Sequence, residues 1–406
     1  MTPYHEGTGY RLYLGDAAEV LRELPADSVQ CCVTSPPYFR KRDYHEPEQI
    51  GWEASPKEYI AKLVGIFAEV RRVLRPDGVM FVVISDTYAS DPRKGLRGHD
   101  PKCVDAAERT RGRTSALPAK NTCLIPERLS IGLQESGWIV RARIIWCKTN
   151  PKCESVEDRP TDATELIWLC SKQSQYYWDY LGAREVCNSG PSDVRKMMEK
   201  RPRIGGKTLE TNDPLLAASR RTQIGRLRAV GSPAGRNMWN YWLLPTAAYP
   251  GAHFAVFPEA LARKCILAAT SPRGACPRCG RPWVRLTTKS REPLPAQFKG
   301  SPLHTGKSRF EDSGEGNRTS GLVTVGWKPG CKCGREGTVP CVVLDCFCGS
   351  GTVGAVALQH GRSFIGIDVS SAYLDLTRER LRRPHRNVRR VRDEAKGELR
   401  LLEIPG

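Results

Sequence analysis

The sequence has no long hydrophobic run. Its longest apolar stretch, Gly78 to Ile84, is far shorter than the roughly 20 residues that a helix needs to cross a bilayer. The opening segment, Met1 to Tyr10, lacks the positively charged cluster and following apolar run of a secretory signal. These absences argue against a membrane protein and lead us to expect a cytoplasmic location.

Acidic residues are scarce relative to basic ones. The 44 Asp and Glu stand against 63 Lys and Arg, which gives a formal net charge of +19. A surplus of that size attracts polyanions, so nucleic acid is the expected partner. Sixteen cysteines spread over 406 residues, without a secretory signal, favour free thiols and a metal site over a disulfide framework.

Apolar patterns alternate between strand and helix along the chain. The predicted strands are Ser28 to Thr34, Val79 to Ile84, Trp138 to Cys147, Val342 to Leu344 and Ser363 to Ile367, and the predicted helices are Tyr59 to Leu74, Pro126 to Glu135 and Thr352 to His360. This alternation predicts an α/β fold with a doubly wound, mostly parallel sheet, whose ligands bind beyond the carboxyl ends of the strands.

Length and composition predict two insertions in that fold, since 406 residues exceed what one hydrophobic core usually organises. Residues 184–245 form a basic, loop-rich module: between Arg184 and Arg236, 12 Lys and Arg stand against 5 Asp and Glu. Residues 276–335 carry two cysteine pairs and a linker-like stretch, Thr287 to Gly321.

The cysteine pairs of the second insertion are Cys276 with Cys279 and Cys331 with Cys333, and a glycine follows each pair. Two close thiolate pairs are typical of a tetrahedral four-cysteine zinc site, and such a metal would hold together a module too polar to fold by core burial. We therefore predict structural zinc (Zn2+) in a small zinc-ribbon-like insertion, with unliganded thiols as the alternative.

A glycine-rich turn follows the predicted strand Val342 to Leu344 and reads Asp345-Cys346-Phe347-Cys348-Gly349-Ser350-Gly351-Thr352. Glycines let the backbone approach a ligand closely, and Asp368, about 20 residues on, can accept hydrogen bonds from ribose hydroxyls. No Lys follows the second glycine, which excludes a P-loop. The pattern indicates a nucleoside cofactor, although an ordinary tight turn would explain the glycines alone.

Ser35-Pro36-Pro37-Tyr38 follows the first predicted strand. It places a hydroxyl, a Pro36 carbonyl of fixed direction and an aromatic face side by side. The exocyclic amino group of a base needs acceptors for its hydrogens and a ring for stacking. A Pro-Pro bend is the simpler interpretation of this motif alone, but the glycine turn elsewhere in the chain favours a reaction site.

The two motifs together resemble those of the DNA amino-methyltransferases, which transfer a methyl group from S-adenosylmethionine to N4 of cytosine or N6 of adenine. Thr34 to Tyr38 resembles the catalytic motif of that family, and Asp345 to Thr352 resembles its cofactor motif. The catalytic motif comes first, which matches the circular order of the beta class. The resemblance implies a Rossmann-like methyltransferase fold made of a catalytic half, a cofactor-side segment and a cofactor-binding half, at 1–183, 246–275 and 336–406.

The resemblance also implies roles for individual residues. The implied cofactor-binding residues are Asp16 near the adenine, Phe254 beside the methionine end, and Thr34, Asp345, Phe347, Cys348, Gly349, Ser350, Gly351, Thr352 and Asp368. The implied target-base pocket comprises Tyr38, Trp146 and Lys148, although Trp146 fits a core aromatic equally well. The basic module 184–245 would read the sequence of duplex DNA.

Two departures from the family pattern bear on chemistry. Cys346 and Cys348 stand where the family usually has proline and a small residue, and thiols beside the cofactor would make activity sensitive to oxidation. Ser35 stands where adenine-modifying members more often have Asp, which favours N4-cytosine over N6-adenine. Cys31 and Cys32 lie inside a predicted strand and are expected in the core, so no nucleophile for methylation at carbon-5 is indicated.

The expected reaction is a direct in-line attack by the amino group of a flipped base on the sulfonium methyl. Two other functional classes remain open: a catalytically inactive zinc-containing DNA-binding protein, and a methyltransferase acting on RNA or a small metabolite. The sequence also leaves open whether such an enzyme acts alone or beside a cognate restriction endonuclease.

Overall fold

The structure is a computed structural model that describes residues 1–41, 49–89, 117–185, 203–204, 207–208, 237–247, 257–293 and 318–382. Phe254 and most of the basic module predicted at 184–245 lie outside the described residues. The chain divides into two compact units. The first consists of Met1–Asp179, Trp239–Val284 and Pro329–Gly406, and the second of Tyr180–Met238 and Arg285–Lys328.

The described residues form six helices and thirteen strands. The helices are α1 (Ala17–Glu23), α2 (Pro56–Val73), α3 (Ile125–Glu135), α4 (Glu259–Ala269), α5 (Thr352–Gln359) and α6 (Ser371–Arg382). The strands are β1 (His5–Gly7), β2 (Tyr10–Leu14), β3 (Val29–Thr34), β4 (Leu74–Ile84), β5 (Ile139–Lys148), β6 (Thr164–Ser171), β7 (Arg203–Ile204), β8 (Lys207–Thr208), β9 (Tyr241–Leu244), β10 (Val284–Pro293), β11 (Arg318–Lys328), β12 (Val342–Asp345) and β13 (Ser363–Asp368). None of the described helices is both long enough and apolar enough to cross a membrane.

A nine-stranded sheet forms the centre of the first unit, in the order β1-β2-β13-β12-β3-β4-β6-β5-β9. The five neighbours from β2 to β4 run parallel to one another, whereas β6 is antiparallel to both of its neighbours and β1 is antiparallel to β2. The mostly parallel α/β sheet predicted from the sequence is therefore confirmed. The alternation pattern did not indicate four strands of this sheet, β1, β2, β6 and β9.

Two groups of helices pack around this sheet. Helix α2 packs against α1 and α3, and α5 packs against α4 and α6. Neighbouring residues of a strand point to opposite faces. Accordingly Cys32 belongs to the hydrophobic core formed with α1, α2 and α3, while Cys31 lies close to Cys265 of α4. Both thiols are fully buried, as expected of core residues.

Helix α2 begins with a reciprocal cap. Ser55 Oγ accepts from the Glu58 amide at 3.3 Å and donates to the Glu58 carboxylate at 3.1 Å, and Pro56 occupies the first turn, where its missing N–H costs nothing. Its buried face presents apolar residues at helical spacing, namely Tyr59, Ile60, Leu63, Ile66, Phe67, Val70 and Val73.

Strand β4 begins at Leu74, five residues before the strand predicted at Val79 to Ile84, and it includes Pro76-Asp77-Gly78, whose composition is typical of a turn. The pairing of β3 with β4 jumps from Val29 opposite Leu74 to Cys31 opposite Val79, so the intervening residues of β4 bulge from the ladder. Pro76 has no N–H to give to a neighbouring strand, which explains why the ladder is interrupted there. Arg75 lies in this interrupted stretch, and its side-chain contacts are described below.

Parallel pairing brings the carboxyl ends of β2, β13, β12 and β3 to one edge of the sheet. The Gly15 amide donates to the Asp368 backbone carbonyl at 3.0 Å, which ties the end of β2 to the end of β13. Because β6 runs the opposite way, its first residues lie at the same edge: Leu166 pairs with Ile84, at the end of β4. This edge, here called the carboxyl edge, therefore gathers segments that are far apart in sequence.

The second unit contains two small sheets among its described residues. Strands β7 and β8 pair antiparallel, and β10 pairs with β11. The Arg285 guanidinium lies over the Trp327 ring at 4.4 Å and donates to Thr324 Oγ1 at 2.7 Å. A cation over an aromatic face and a side-chain hydrogen bond thus link β10 to β11.

Candidate functional site

A buried hydrogen bond joins the two sequence motifs. Thr34 ends β3 and Asp345 ends β12, and Thr34 Oγ1 donates to Asp345 Oδ1 at 2.7 Å. Asp345 is 2% exposed, and its Oδ1 also accepts from the Phe347 amide at 3.1 Å. The Ser-Pro-Pro-Tyr loop and the glycine turn therefore start from one shared contact, although 311 residues separate Thr34 from Asp345.

The Ser-Pro-Pro-Tyr loop is held from beneath by α2 and by the segment before it. The hydroxyl of fully buried Tyr59 donates to the Pro37 carbonyl at 2.7 Å. Gly51 accepts from the Arg40 amide at 2.7 Å, and a Cβ added to Gly51 would lie 3.0 Å from the Tyr38 carbonyl oxygen. Its φ of +107° also favours glycine, so Gly51 permits the close approach that shapes the loop.

Polar side chains from β5 and β6 meet the loop at the carboxyl edge. Tyr38 Oη donates to Glu165 Oε2 at 2.5 Å, and Ser35 Oγ donates to Tyr38 Oη at 3.3 Å. The other carboxylate oxygen of Glu165 forms an ion pair with Lys148 Nζ at 2.8 Å. The Glu165 side chain is only 11% exposed, so these contacts form in a largely desolvated place.

The glycine turn is fastened by β13. Asp368 accepts from the Gly349 amide at 2.7 Å and from the Ser370 amide at 3.0 Å. Gly351, with φ +75°, begins α5, and a Cβ there would lie 2.7 Å from the Thr377 methyl group. An added Cβ at Gly349 meets no heavy atom of the described residues within 4 Å, so the turn leaves room for a ligand close to its backbone.

A buried arginine of α6 supports the same turn. Arg380 donates to the Ser350 carbonyl at 3.3 Å and to Thr352 Oγ1 at 3.0 Å, and its other nitrogen contacts Glu259 at 2.8 Å. Sequence patterns did not single out this residue, because an arginine on a charged helix usually faces solvent. Its burial indicates that it orders the turn from behind.

The structure also shows the position and burial of the other predicted cofactor residues that it describes. Asp16 lies at the carboxyl edge, where its carboxylate caps α1 by accepting from the Ala18 amide at 2.8 Å. The predicted residues with buried side chains would contact a ligand chiefly through their backbone atoms, and these are Thr34, Asp345, Cys348, Ser350 and Thr352.

Trp146 is packed as a core side chain in this structure. It is 3% exposed, and its indole N–H donates to the Leu244 carbonyl of β9 at 2.9 Å. A stacking wall has to present a face to the base, so this placement favours the core alternative. A role for Trp146 at the base stays a prediction.

The two cysteines of the glycine turn are enclosed. Cys346 is 1% exposed and Cys348 is 4% exposed, and burial raises the pKa of the Cys348 thiol well above its ordinary value. Oxidation proceeds through an accessible thiolate. The burial therefore argues against the oxidation sensitivity that the sequence suggested for this turn.

A four-cysteine cluster forms a second candidate site. The sulfur atoms of Cys276, Cys279, Cys331 and Cys333 all lie within 4.8 Å of one another. Backbone N–H groups of Cys279 and Arg278 lower the pKa of Cys276 to about 6, while the neighbouring sulfurs of Cys279 and Cys331 raise the pKa of Cys333 to about 12. Four sulfur atoms this close together, one of them an easily formed thiolate, are a donor set suited to a cation, which would stabilise all four as thiolates.

The cluster is attached to the opposite edge of the sheet from the Ser-Pro-Pro-Tyr loop. Gln30, the second residue of β3, donates to the Gly280 carbonyl at 2.9 Å and accepts from the Val342 amide of β12 at 2.6 Å. Arg75, the second residue of β4, donates to the Cys279 carbonyl. Both side chains are buried, so the cysteine loop packs onto the amino ends of three central strands.

Comparison with known proteins identifies the family of this chain. The sequence model of the N6/N4 DNA methylase family matches residues 29–276 and 341–379, which include both motifs. The chain belongs to the N6/N4 DNA methylase family.

The relatives of this methylase extend along nearly the whole chain. It is 33% identical over 387 residues to the type II methyltransferase M.Cfr9I of Citrobacter freundii, across 95% of this chain and 92% of that one. It is 31% identical over 384 residues to the type II methyltransferase M.XycI of Xanthomonas campestris pv. cyanopsidis, across 94% and 91%. The solved structure of PvuII DNA methyltransferase (cytosine-N4-specific) matches with a TM-score of 0.46 at 17% identity, across 97% of this chain and 94% of that one.

Burial of Asp345 gives the first testable prediction, a pH dependence of stability. Desolvation raises the pKa of its carboxyl from 3.8 to about 7. The folded protein then binds this proton more tightly than the unfolded chain, so the contribution of Asp345 to stability is full below pH 4 and is lost as the pH rises to 7. Asp345→Asn keeps an oxygen for Thr34 and Phe347 but does not titrate.

Chemical denaturation from pH 4 to pH 8 measures this effect. Relative to Asp345→Asn, the free energy of unfolding of the wild type should fall between about pH 4 and pH 7 by roughly 1 kcal/mol per pH unit and then level off. Parallel pH curves for the two proteins would contradict a raised pKa. Glu157→Asn, at an exposed carboxylate, serves as the control.

Proposed function

We propose that this methylase transfers a methyl group from S-adenosylmethionine to the exocyclic N4 of cytosine in duplex DNA. The observation that carries the proposal is the Thr34–Asp345 hydrogen bond, which places the Ser-Pro-Pro-Tyr loop beside the glycine turn. A methyl acceptor and a methyl donor have to lie side by side for in-line transfer, and the carboxyl edge supplies adjoining places for them. Methylation of N6 of adenine is the alternative within the same class.

The residues of the glycine turn fit S-adenosylmethionine. The turn leaves open space in front of Gly349, and Asp368 carries carboxylate oxygens beside it, in reach of ribose hydroxyls. Asp16 lies at the neighbouring strand end, on the side assigned to the adenine. Phe347 belongs to the same turn, and Phe254 is assigned to the methionine end. The bound cofactor supplies an electrophilic sulfonium methyl group, and the protein supplies its orientation.

The acceptor base is assigned to the Ser-Pro-Pro-Tyr loop. Ser35 Oγ and the Pro36 carbonyl accept hydrogen bonds from the amino group, which orients the nitrogen lone pair towards the methyl group. Tyr38 provides the face on which the base stacks. Because a duplex hides the amino group inside a base pair, the base has to flip out. Ser35, in place of the Asp more frequent in adenine-modifying members, supports N4-cytosine.

The DNA partner and the biological setting follow from charge and from the relatives. The net charge of +19 and the basic module 184–245 support binding of duplex DNA, with that module as the target-recognition part. The relatives are named type II methyltransferases, which supports a restriction-modification role beside an endonuclease with the same recognition sequence.

The four-cysteine cluster is assigned one structural Zn2+ and a zinc-ribbon-like insertion. The mutual distances and the all-sulfur donor set fit the tetrahedral sites of this metal. Methyl transfer from a sulfonium needs no Lewis acid, because the leaving thioether departs neutral. The attachment through Gln30 and Arg75 to the amino ends of the strands supports a role in folding.

Methylation profiling tests the proposed reaction directly. Genomic DNA from a methylation-free host that expresses the methylase should contain N4-methylcytosine within one short recognition sequence. N6-methyladenine at such a sequence would establish the alternative. DNA that contains neither methylated base, from cells that contain folded protein, would contradict the proposed function. Cells that express an inactive Ser35→Ala, Tyr38→Ala double variant show the background level of methylation.

The stacking role of Tyr38 predicts a split between turnover and cofactor affinity. Tyr38→Ala removes the aromatic face, and since stacking of a base contributes about 1–3 kcal/mol, kcat/KM for DNA should fall about 10- to 100-fold. The affinity for S-adenosylmethionine, measured by calorimetry, should change less than about twofold. Tyr4→Ala, at a half-exposed tyrosine away from the loop, is the matched control. Unchanged methylation by Tyr38→Ala would refute the assignment.

Replacing Cys276 and Cys279 together by Ser tests the metal. The wild type purified without chelator should hold about one zinc per chain, by the one-ion four-thiolate geometry. The double variant should lose the metal and unfold at a lower temperature, while cofactor binding stays measurable. Cys153→Ser, at an exposed thiol outside the cluster, should change neither property. A wild type without zinc would count against the site, and full zinc in the double variant would show that other residues bind it.

A further inference from the structure

We infer that Glu165 is a positioning residue for methyl transfer, because its carboxylate sets the direction of the hydrogen bonds through Tyr38 and Ser35. The inference rests on the proposed function, in which Ser35 Oγ accepts from the target amino group. Glu165 lies on β6, outside both motifs, and opposite Trp146 in the pairing of β5 with β6. The antiparallel course of β6 brings it to the carboxyl edge.

The direction of the hydrogen bonds follows from the donors and acceptors available. An ionised carboxylate can only accept, so Tyr38 has to donate its single hydroxyl proton across the 2.5 Å contact with Glu165 Oε2. The Tyr38 oxygen then has lone pairs but no proton left for Ser35. The contact at 3.3 Å between the two hydroxyls is therefore donated by Ser35.

This direction decides what Ser35 offers to the base. Its one proton is given to Tyr38, so the lone pairs of Ser35 Oγ are what the target amino group meets. An amino group brings hydrogens, and it needs an acceptor. Without Glu165 as acceptor, the Tyr38 hydroxyl can donate to Ser35 instead. That bond would occupy a lone pair of Ser35 Oγ and turn the Ser35 proton towards the base. Two donors would then face each other.

Lys148 secures the arrangement from the other side. Its ammonium group lies 2.8 Å from Glu165 Oε1, and the side chains of Lys148 and Glu165 are 18% and 11% exposed. The ammonium group thus occupies Oε1, while Oε2 is the oxygen that accepts from Tyr38. The ion pair holds the Glu165 carboxylate in place opposite the Tyr38 hydroxyl.

Kinetics of two substitutions test the inference. Glu165→Ala removes the acceptor, and kcat should fall about 10- to 100-fold, as expected for loss of a hydrogen bond to a charged group, with KM for S-adenosylmethionine within about twofold of the wild type. Glu165→Gln keeps an oxygen that accepts from Tyr38, and it should retain kcat within about fivefold. Glu157→Gln, at an exposed carboxylate nearby in the chain, is the matched control.

The conservative variant separates positioning from mere support of the fold. If Glu165 acts by accepting from Tyr38, Glu165→Gln should restore most of the kcat that Glu165→Ala loses, while both variants bind S-adenosylmethionine as the wild type does. An equal loss of kcat in the two variants would overturn the inference.

A double-mutant cycle completes the test. If Glu165 acts through the Tyr38 hydroxyl, then Glu165→Ala combined with Tyr38→Phe should lower kcat no further than the more severe single variant. Additive losses, or a wild-type kcat in Glu165→Ala, would overturn the inference. A wild type that methylates no amino group in DNA would instead overturn the proposed function, so the two failures are distinguishable.

Discussion

The hydrogen bond from Thr34 to Asp345 is the contact on which the arrangement of the site depends. It joins the last residues of two adjacent parallel strands, and each strand leads directly into one of the two motifs. Because both groups are buried, leaving either one unpaired would cost about 1–3 kcal/mol or more. The burial that makes the contact strong also raises the pKa of Asp345, so one environment governs both geometry and protonation.

The two loops beside that contact differ in what they offer to a ligand: the glycine turn offers mainly backbone atoms, and the Ser-Pro-Pro-Tyr loop offers mainly side chains. The glycine turn offers close access to its backbone and is held from behind by Asp368 and Arg380. The Ser-Pro-Pro-Tyr loop instead carries the half-buried side chains of Ser35 and Tyr38, and Tyr59 and Gly51 hold its backbone. Rigid support beneath both loops is what in-line transfer requires, because small errors of placement reduce its rate strongly.

The four-cysteine cluster stabilises the same sheet from its other edge. Gln30 uses one end of its amide to contact the cysteine loop and the other to contact β12, so the amino ends of β3 and β12 are tied to the cluster. Those two strands carry the Thr34–Asp345 contact at their carboxyl ends. A metal there would act on the site only through the strands, which agrees with chemistry that needs no Lewis acid.

The sequence by itself determined the sheet class and the identity of the two motifs, because alternation, proline and glycine act over short range and leave local patterns. It also indicated the cysteine pairs, since ligand spacing is local. Only the tertiary structure decided that Glu165 contacts Tyr38, that Arg380 turns inwards and that the buried indole of Trp146 donates to β9. An isolated Glu at the start of an apolar strand was the only available signal for Glu165. Its partner depends on strand order and direction, which pairing between distant segments sets and which no short stretch of sequence encodes.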